Sequence, residues 1–150
     1  MNKSYLIILT FIITALWDLL LQFINYNYNK MPKFIKWFDF IKSLDDYFKQ
    51  HTILSAILLA GFIGAITQFI ILSFYKFPHT IKQLIEFLII TFIISGLIGF
   101  PIKQSNLFPI LNSTYYKYLG DFRGFYHDGI SGIIVQITLF IILNGQRYIR

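Results

Sequence analysis

Hydrophobic residues run in four long blocks along this chain, separated by more polar stretches. The block Thr52–Tyr75 has no formal charge in 24 residues, and at about 1.5 Å per residue a helix of that length crosses a hydrocarbon core of roughly 30 Å. Three further blocks have the same character and predict three more transmembrane helices. The four predicted spans are residues 4–26, 52–75, 81–100 and 128–144.

Small residues recur at helical spacing within these blocks. Ala56, Ala60 and Gly64 fall every fourth position and so share one helical face, with Gln68 following on the same face. The third and fourth spans show similar faces. Close approach of helices in a membrane requires such residues, because lipid provides no hydrophobic drive between helices. The predicted helix-packing positions are Ala56, Ala60, Gly61, Gly64, Ser95, Gly99 and Gly132.

Four polar residues that lie near or within the predicted spans, on the small-residue faces of their helices, have two interpretations. A carboxylate at membrane depth costs about 2.5 to 3.5 kcal/mol on insertion scales, so Asp18 should face the protein interior, water or headgroups. The set either forms interhelical hydrogen bonds, worth roughly 0.6 to 2 kcal/mol each, or lines a path for protons or ions. We favour hydrogen bonding, because one acid and three amides do not make a relay. These residues are Asp18, Gln22, Gln68 and Gln136.

The segment Pro32–Gln50 differs in kind from the four blocks. Its aromatic residues fall on one helical face and its charged residues on another. This pattern predicts an amphipathic helix in the membrane interface, anchored by Phe34, Trp37 and Phe38. The alternative is a packed helix of a small cap outside the membrane.

The connections between the later spans differ in length. Residues 76–79 are so few that the third span must return as an antiparallel neighbour of the second. Residues 101–127 contain two prolines, two glycines and many aromatics, and predict a long connection with short interfacial helices. Asp128 is a natural helix cap and is expected to begin the fourth span.

Composition supports a membrane protein and excludes several classes of site. The chain of 150 residues is 56% hydrophobic and 13% charged, which leaves too little polar surface for a water-soluble domain. The absence of cysteine excludes disulfides and thiolate sites. The net charge of +6 comes from single basic residues at the edges of apolar runs, which favours anionic lipid headgroups over nucleic acid as partners.

Candidate enzymatic chemistry is weak. Gly129–Gly132 reads GxSG, as in rhomboid-type intramembrane proteases, but no histidine follows Ser131 to act as its base. The three histidines show no metal-ligand spacing, so no metal or cofactor is expected. A lipid-modifying enzyme would need a polar cavity that brings His127, Asp128 and Ser131 together.

Several short strings of the chain carry a resemblance to known proteins. They are Tyr47–Ser55, Ala60–Ala65, Gly99–Pro101, Leu107–Pro109 with Tyr115 and Tyr116, and Asp128–Gly132. These strings resemble a small family of multi-span membrane proteins from large nucleocytoplasmic DNA viruses, and the resemblance covers most of the chain from Trp17 onward. It implies a viral membrane protein, located in the internal lipid layer of the virion, and brings no catalytic residue with it.

Together these observations predict an all-α integral membrane protein, a single domain of four transmembrane helices with one interfacial helix. The expected function is non-enzymatic and structural, organising a virion or host membrane. Expected partners are the lipid bilayer and either further copies of this chain or other membrane or capsid proteins. The alternative function is a small ion or proton channel that uses Asp18 and the membrane-embedded glutamines.

Overall fold

The computed structural model describes residues 2–26, 53–104 and 122–149, and these ranges are helical apart from short ends and one turn. Each helix contains a stretch of at least 18 residues that is long and apolar enough to cross a membrane. This confirms the predicted all-helical architecture of four such helices. The interfacial helix predicted at 32–50, with Phe34, Trp37 and Phe38, lies outside the described residues. The helices are α1 (Lys3–Tyr26), α2 (Ile53–Phe74), α3 (Ile81–Gln104) and α4 (Phe122–Ile149).

The ends of α1 and α2 agree with the predicted spans to within one residue, whereas α3 and α4 extend into the predicted 101–127 connection. Helix α3 continues past Pro101, whose missing N–H removes a single hydrogen bond near the helix end. Helix α4 begins at Phe122, so the prediction that Asp128 caps it was wrong. Packing stabilises the early start, because the ring of Phe125 lies against Gly96 of α3. This contact offsets the low helix propensity of the glycine in the first turn of α4.

A tight turn at residues 75–80 makes α2 and α3 antiparallel. The Thr80 hydroxyl oxygen accepts a hydrogen bond from the backbone N–H of Gln83 at 3.3 Å, which caps the start of α3. The Asn144 side chain donates to the Pro78 carbonyl at 3.3 Å and fastens the turn to α4. The expected immediate return of the third span is therefore observed.

The helices form a ring in the order α1, α2, α3, α4. Helix α1 packs mainly on α2, and α3 mainly on α4, while the contacts of α2 with α3 and of α1 with α4 are less extensive. We call α1 with α2 the first hairpin, and α3 with α4 the second hairpin. The bundle is therefore two closely packed hairpins joined by a looser interface.

Large apolar side chains cover the outside of this ring. One row recurs every fourth residue along α3, each member 47 to 59% exposed, and α1, α2 and α4 carry similar residues. Soluble monomers rarely expose contiguous apolar surface on this scale. The row on α3 consists of Ile81, Ile85, Ile89, Ile93 and Leu97.

The two hairpins repeat one set of contacts. Residues 10–14 of α1 read TFIIT and residues 91–95 of α3 read TFIIS. In each hairpin the phenylalanine of this string lies against the first glycine of a GxxG string on the other helix, and the last hydroxyl residue lies against the second glycine. The paired contacts are Phe11 on Gly61 with Phe92 on Gly129, and Thr14 on Gly64 with Ser95 on Gly132.

This correspondence relates α1 to α3 and α2 to α4, as an approximate two-fold axis along the bundle would. The four-residue step after Gly64 leads to Gln68, and the same step after Gly132 leads to Gln136. These equivalent residues touch each other, since the Gln136 side-chain nitrogen donates to the Gln68 side-chain oxygen. Only residues beside a two-fold axis contact their own equivalents.

Candidate polar site at the centre of the bundle

Polar side chains fill much of the bundle interior, while its surface is apolar. Ten described polar residues are less than 9% exposed, and they come from all four helices. This is the inverse of a water-soluble bundle, in which polar residues face outward. The buried set is Thr10, Thr14, Asp18, Thr67, Gln68, Thr91, Ser95, Asp128, Gln136 and Asn144.

The Gln68–Gln136 pair joins the two hairpins across the centre. Both side chains are almost completely buried, at 0% and 2% exposure. The hydrogen bond uses the nitrogen of Gln136 and the oxygen of Gln68. Among the residues that the structure describes, the Gln136 oxygen and the Gln68 nitrogen have no hydrogen-bond partner. The pair therefore retains one acceptor and one donor for another group.

The buried hydroxyl groups divide into two kinds. The Thr10 and Thr14 hydroxyls donate to backbone carbonyls one turn earlier, at 2.6 and 2.7 Å, and Ser95 donates to the backbone carbonyl of Asp128 at 2.9 Å. By contrast, no described group hydrogen-bonds to the hydroxyls of Thr67 and Thr91. An unpaired buried hydroxyl costs roughly 1 to 3 kcal/mol, so these two positions are suited to a bound polar species.

Asp18 and Asp128 are both 7% exposed and both contribute to the interior. The Asp128 carboxylate lies directly against Gly99, where even a Cβ atom would collide with it. In the hairpin correspondence Asp18 takes the place of Gly99, and Ala60 the place of Asp128. Each hairpin thus has one acid and one small residue at these equivalent positions. The acid is on the first helix of the first hairpin and on the second helix of the second hairpin.

These groups surround one cavity of about 60 Å³. A single water needs roughly 10 to 15 Å³ on this measure, so the cavity has room for several waters or a partly hydrated ion. Apolar residues such as Leu21, Leu59 and Ile63 form the remainder of its wall. The polar groups that line it include Thr10, Thr14, Trp17, Asp18, Thr67, Thr91, Ser95, Asp128, Ser131 and Gln136.

The glycines among the predicted helix-packing residues lie at close contacts between helices. A Cβ atom on Gly61 would stand 2.8 Å from the Phe11 ring, and one on Gly132 would stand 3.0 Å from Ser95. Gly64 and Gly99 are closer still to their neighbours, and Ala60 lines the cavity. Ala56 and Gln22 belong to α2 and α1, but their side chains lie outside the described part of the structure.

The described residues include only part of the alternative chemical sites. Within residues 2–26, 53–104 and 122–149 no group of three or more histidine, cysteine or acidic side chains could hold a metal ion. His79 lies exposed at the turn between α2 and α3. Ser131 does line the cavity with Asp128, whereas the His127 side chain lies outside the described residues. Two of the three residues expected in a lipid-modifying enzyme therefore line one cavity, and the position of the third is not described.

Sequence reasoning missed three features of this site. It treated Asp128 as a helix cap, it placed Thr91 only on a helix-packing face, and it assigned no role to Thr67. The signal for the repeat was present in the strings TFIIT and TFIIS and in the shared spacing GxxGxxxQ at 61–68 and 129–136. Aligning these repeated strings places both acids at one level of the bundle.

Comparisons with protein-family models, curated proteins and solved structures gave no match.

Proposed function

We propose that this chain is an integral membrane protein that crosses the bilayer four times. The supporting observation is its inverted polarity, with Asp18, Gln68 and Gln136 buried while isoleucines, leucines and phenylalanines are exposed. Phe74, for example, is 79% exposed. Lipid acyl chains cover such a surface at no cost, whereas water does not. Residence in a viral internal membrane is a further proposal, supported by the sequence resemblance described above.

Within the membrane we propose that the bundle binds protons or a small cation at its central cavity and carries them across the bilayer. One observation carries this proposal: two carboxylates from different hairpins, Asp18 and Asp128, line the same cavity between the helices. Ionisable residues within spans are expensive to maintain and mark ion or proton pathways. Sequence reasoning favoured a structural role because it found a single acid, and the second acid changes that balance.

The test is ion flux through liposomes that contain the purified protein. We expect proton or sodium flux above that of protein-free liposomes. Asp18→Asn or Asp128→Asn should lower this flux about tenfold or more, a change equivalent to about 1.4 kcal/mol in a barrier. Glu86→Gln is the matched control, because Glu86 is an exposed acid of α3, and it should leave the flux unchanged. Flux equal to that of empty liposomes contradicts the proposal.

The second candidate function is structural, with the protein shaping or populating a membrane. It is supported by the close glycine contacts Phe11 on Gly61 and Phe92 on Gly129, which suit a rigid packing unit. In that case the acids fix packing, and the asparagine variants should unfold more readily while the parent protein conducts nothing. Flux and unfolding measured on the same samples therefore separate the two candidates.

A further inference from the structure

We propose that the central cavity holds one monovalent metal cation, of the sodium or potassium class, between the two hairpins. This inference rests on the cavity that carries the proposed function, but it concerns binding and makes no assumption about flux. The cation ligands are oxygens supplied by both hairpins. They are Asp18 and Thr67 from the first hairpin, and Thr91, Asp128 and Gln136 from the second.

The ligand chemistry follows from which oxygens remain available. Gln136 uses its side-chain nitrogen toward Gln68, and its oxygen has no hydrogen-bond partner among the described residues. The hydroxyl oxygens of Thr67 and Thr91 also have no hydrogen-bond partner among the described residues. The side chains of Gln136, Thr67 and Thr91 are all at least 97% buried. Carboxylate, hydroxyl and amide oxygens together are the ligands that hard cations prefer.

The valence follows from the surroundings of the cavity. The cost of moving an ion from water into a low-dielectric interior rises with the square of its charge, so a divalent ion pays about four times as much as a monovalent one of equal size. The apolar wall and the surrounding lipid make that cost high here. The two carboxylates offset part of this cost for either ion, but among the described residues no group of three or more histidine, cysteine or acidic side chains is present to coordinate a divalent metal ion.

The position of the site predicts what binding does to the protein. Contacts between the hairpins are less extensive than contacts within them, and the proposed ligands lie on both sides of that interface. A cation would therefore join the two hairpins. Because it binds the folded bundle and not the unfolded chain, it should raise the unfolding temperature in a saturable manner.

The experiment uses the full-length chain in detergent and reads out Trp17, which lines the cavity. Trp37 is the other of the two tryptophans in the chain, so the Trp37→Phe protein reports Trp17 fluorescence alone. Sodium or potassium chloride replaces choline chloride at constant ionic strength, and a parallel series uses magnesium chloride. We expect a saturable change in Trp17 fluorescence and a higher unfolding temperature with sodium or potassium.

Two hydroxyl variants separate binding from general effects on folding. Thr91→Val keeps the side-chain shape and removes one proposed ligand, so it should raise the half-saturating cation concentration about tenfold, which corresponds to one lost interaction. Thr138→Val is the matched control, because that hydroxyl already donates to the Ile134 carbonyl at 2.8 Å. It should leave cation binding unchanged.

The outcomes distinguish this inference from the proposed function. Identical fluorescence and unfolding in sodium, potassium and choline overturn the inference, and proton flux in the same preparation would leave the proposed function standing. A response to magnesium alone also overturns it, since the bound ion would then be divalent. Saturable sodium binding without flux supports the inference and removes the transport function.

Discussion

The two hairpins build the same interface from different residues. In the second hairpin the exchange is reciprocal, with Phe92 on Gly129 and Phe125 on Gly96, and the two rings meet edge to face at 5.7 Å. In the first hairpin Ala15 and Ile57 replace Gly96 and Phe125 at equivalent positions. A glycine is thus present where a ring must be accommodated, and alanine suffices where the opposing side chain is smaller.

The acids show a second difference. Asp18 is on the first helix of its hairpin and Asp128 is on the second helix of its own, yet the hairpin correspondence puts both at one level of the bundle. The packing positions therefore repeat with similar residues, while the charged position changes helix. The two acids therefore lie at one level of the bundle on helices that are not equivalent.

The largest expected effect comes from filling the equivalent glycines Gly64 and Gly132. A Cβ on Gly64 would overlap the hydroxyl oxygen of Thr14 and stand 2.9 Å from its Cβ. A Cβ on Gly132 would stand no closer than 3.0 Å to Ser95, whose smaller side chain adjusts more easily. We expect Gly64→Ala to lower the free energy of unfolding by about 3 kcal/mol and Gly132→Ala by about 1 kcal/mol. Unfolding by sodium dodecyl sulfate in mixed micelles measures both.

Gly145→Ala is the control for this comparison. Its Cβ would stand 3.7 Å from Ile141, an ordinary contact, and alanine favours helix over glycine by up to about 1 kcal/mol. This variant should be as stable as the parent or more stable. Equal losses at Gly64 and Gly132 would show that the two hairpins are packed with the same tolerance.

An intermediate effect is expected from the glutamine pair. Gln68→Leu or Gln136→Leu leaves the other glutamine with a further unpaired polar group, and each should cost about 1 to 2 kcal/mol. The double variant should cost less than the sum of the two, by about 0.6 to 2 kcal/mol. A double-mutant cycle on the free energy of unfolding gives this coupling. Strict additivity would mean that the hydrogen bond contributes nothing to joining the hairpins.

The smallest effect concerns the aromatic pairs. Phe92 and Phe125 should couple by about 0.5 to 1.5 kcal/mol in a double-mutant cycle with leucine. The first hairpin has its own edge-to-face pair, Phe11 with Phe62, at 5.8 Å, but Phe62 is 54% exposed. We expect weaker coupling there. Stronger coupling in the first hairpin would contradict the view that the second depends more on its rings.

The sequence predicted the helices well because apolar blocks of this length have few alternatives in a protein so poor in charge. It placed α1 and α2 to within one residue, since polar residues bound those blocks on both sides. It placed the start of α4 six residues late, because Phe122–His127 is stabilised by packing of Phe125 on Gly96 and not by a local capping signal. Boundaries set by tertiary contacts are not visible in local pattern.

The central site was only partly accessible to sequence reasoning. Asp18, Gln68 and Gln136 stood out because polar residues are rare within the apolar blocks. Asp128 was not assigned to this polar set, because at the edge of a block an aspartate is equally consistent with a helix cap. Its burial depends on the neighbouring α3, and only the position of Gly99 in three dimensions makes room for its carboxylate.

The turn at residues 75–80 has a consequence for how the bundle holds together. Six residues tether the two halves, and a short tether keeps two binding partners at an effective concentration in the millimolar range. A loose interface between the halves is therefore sufficient, since they cannot diffuse apart. If the chain were cut within this turn, assembly of the two fragments would become sensitive to dilution.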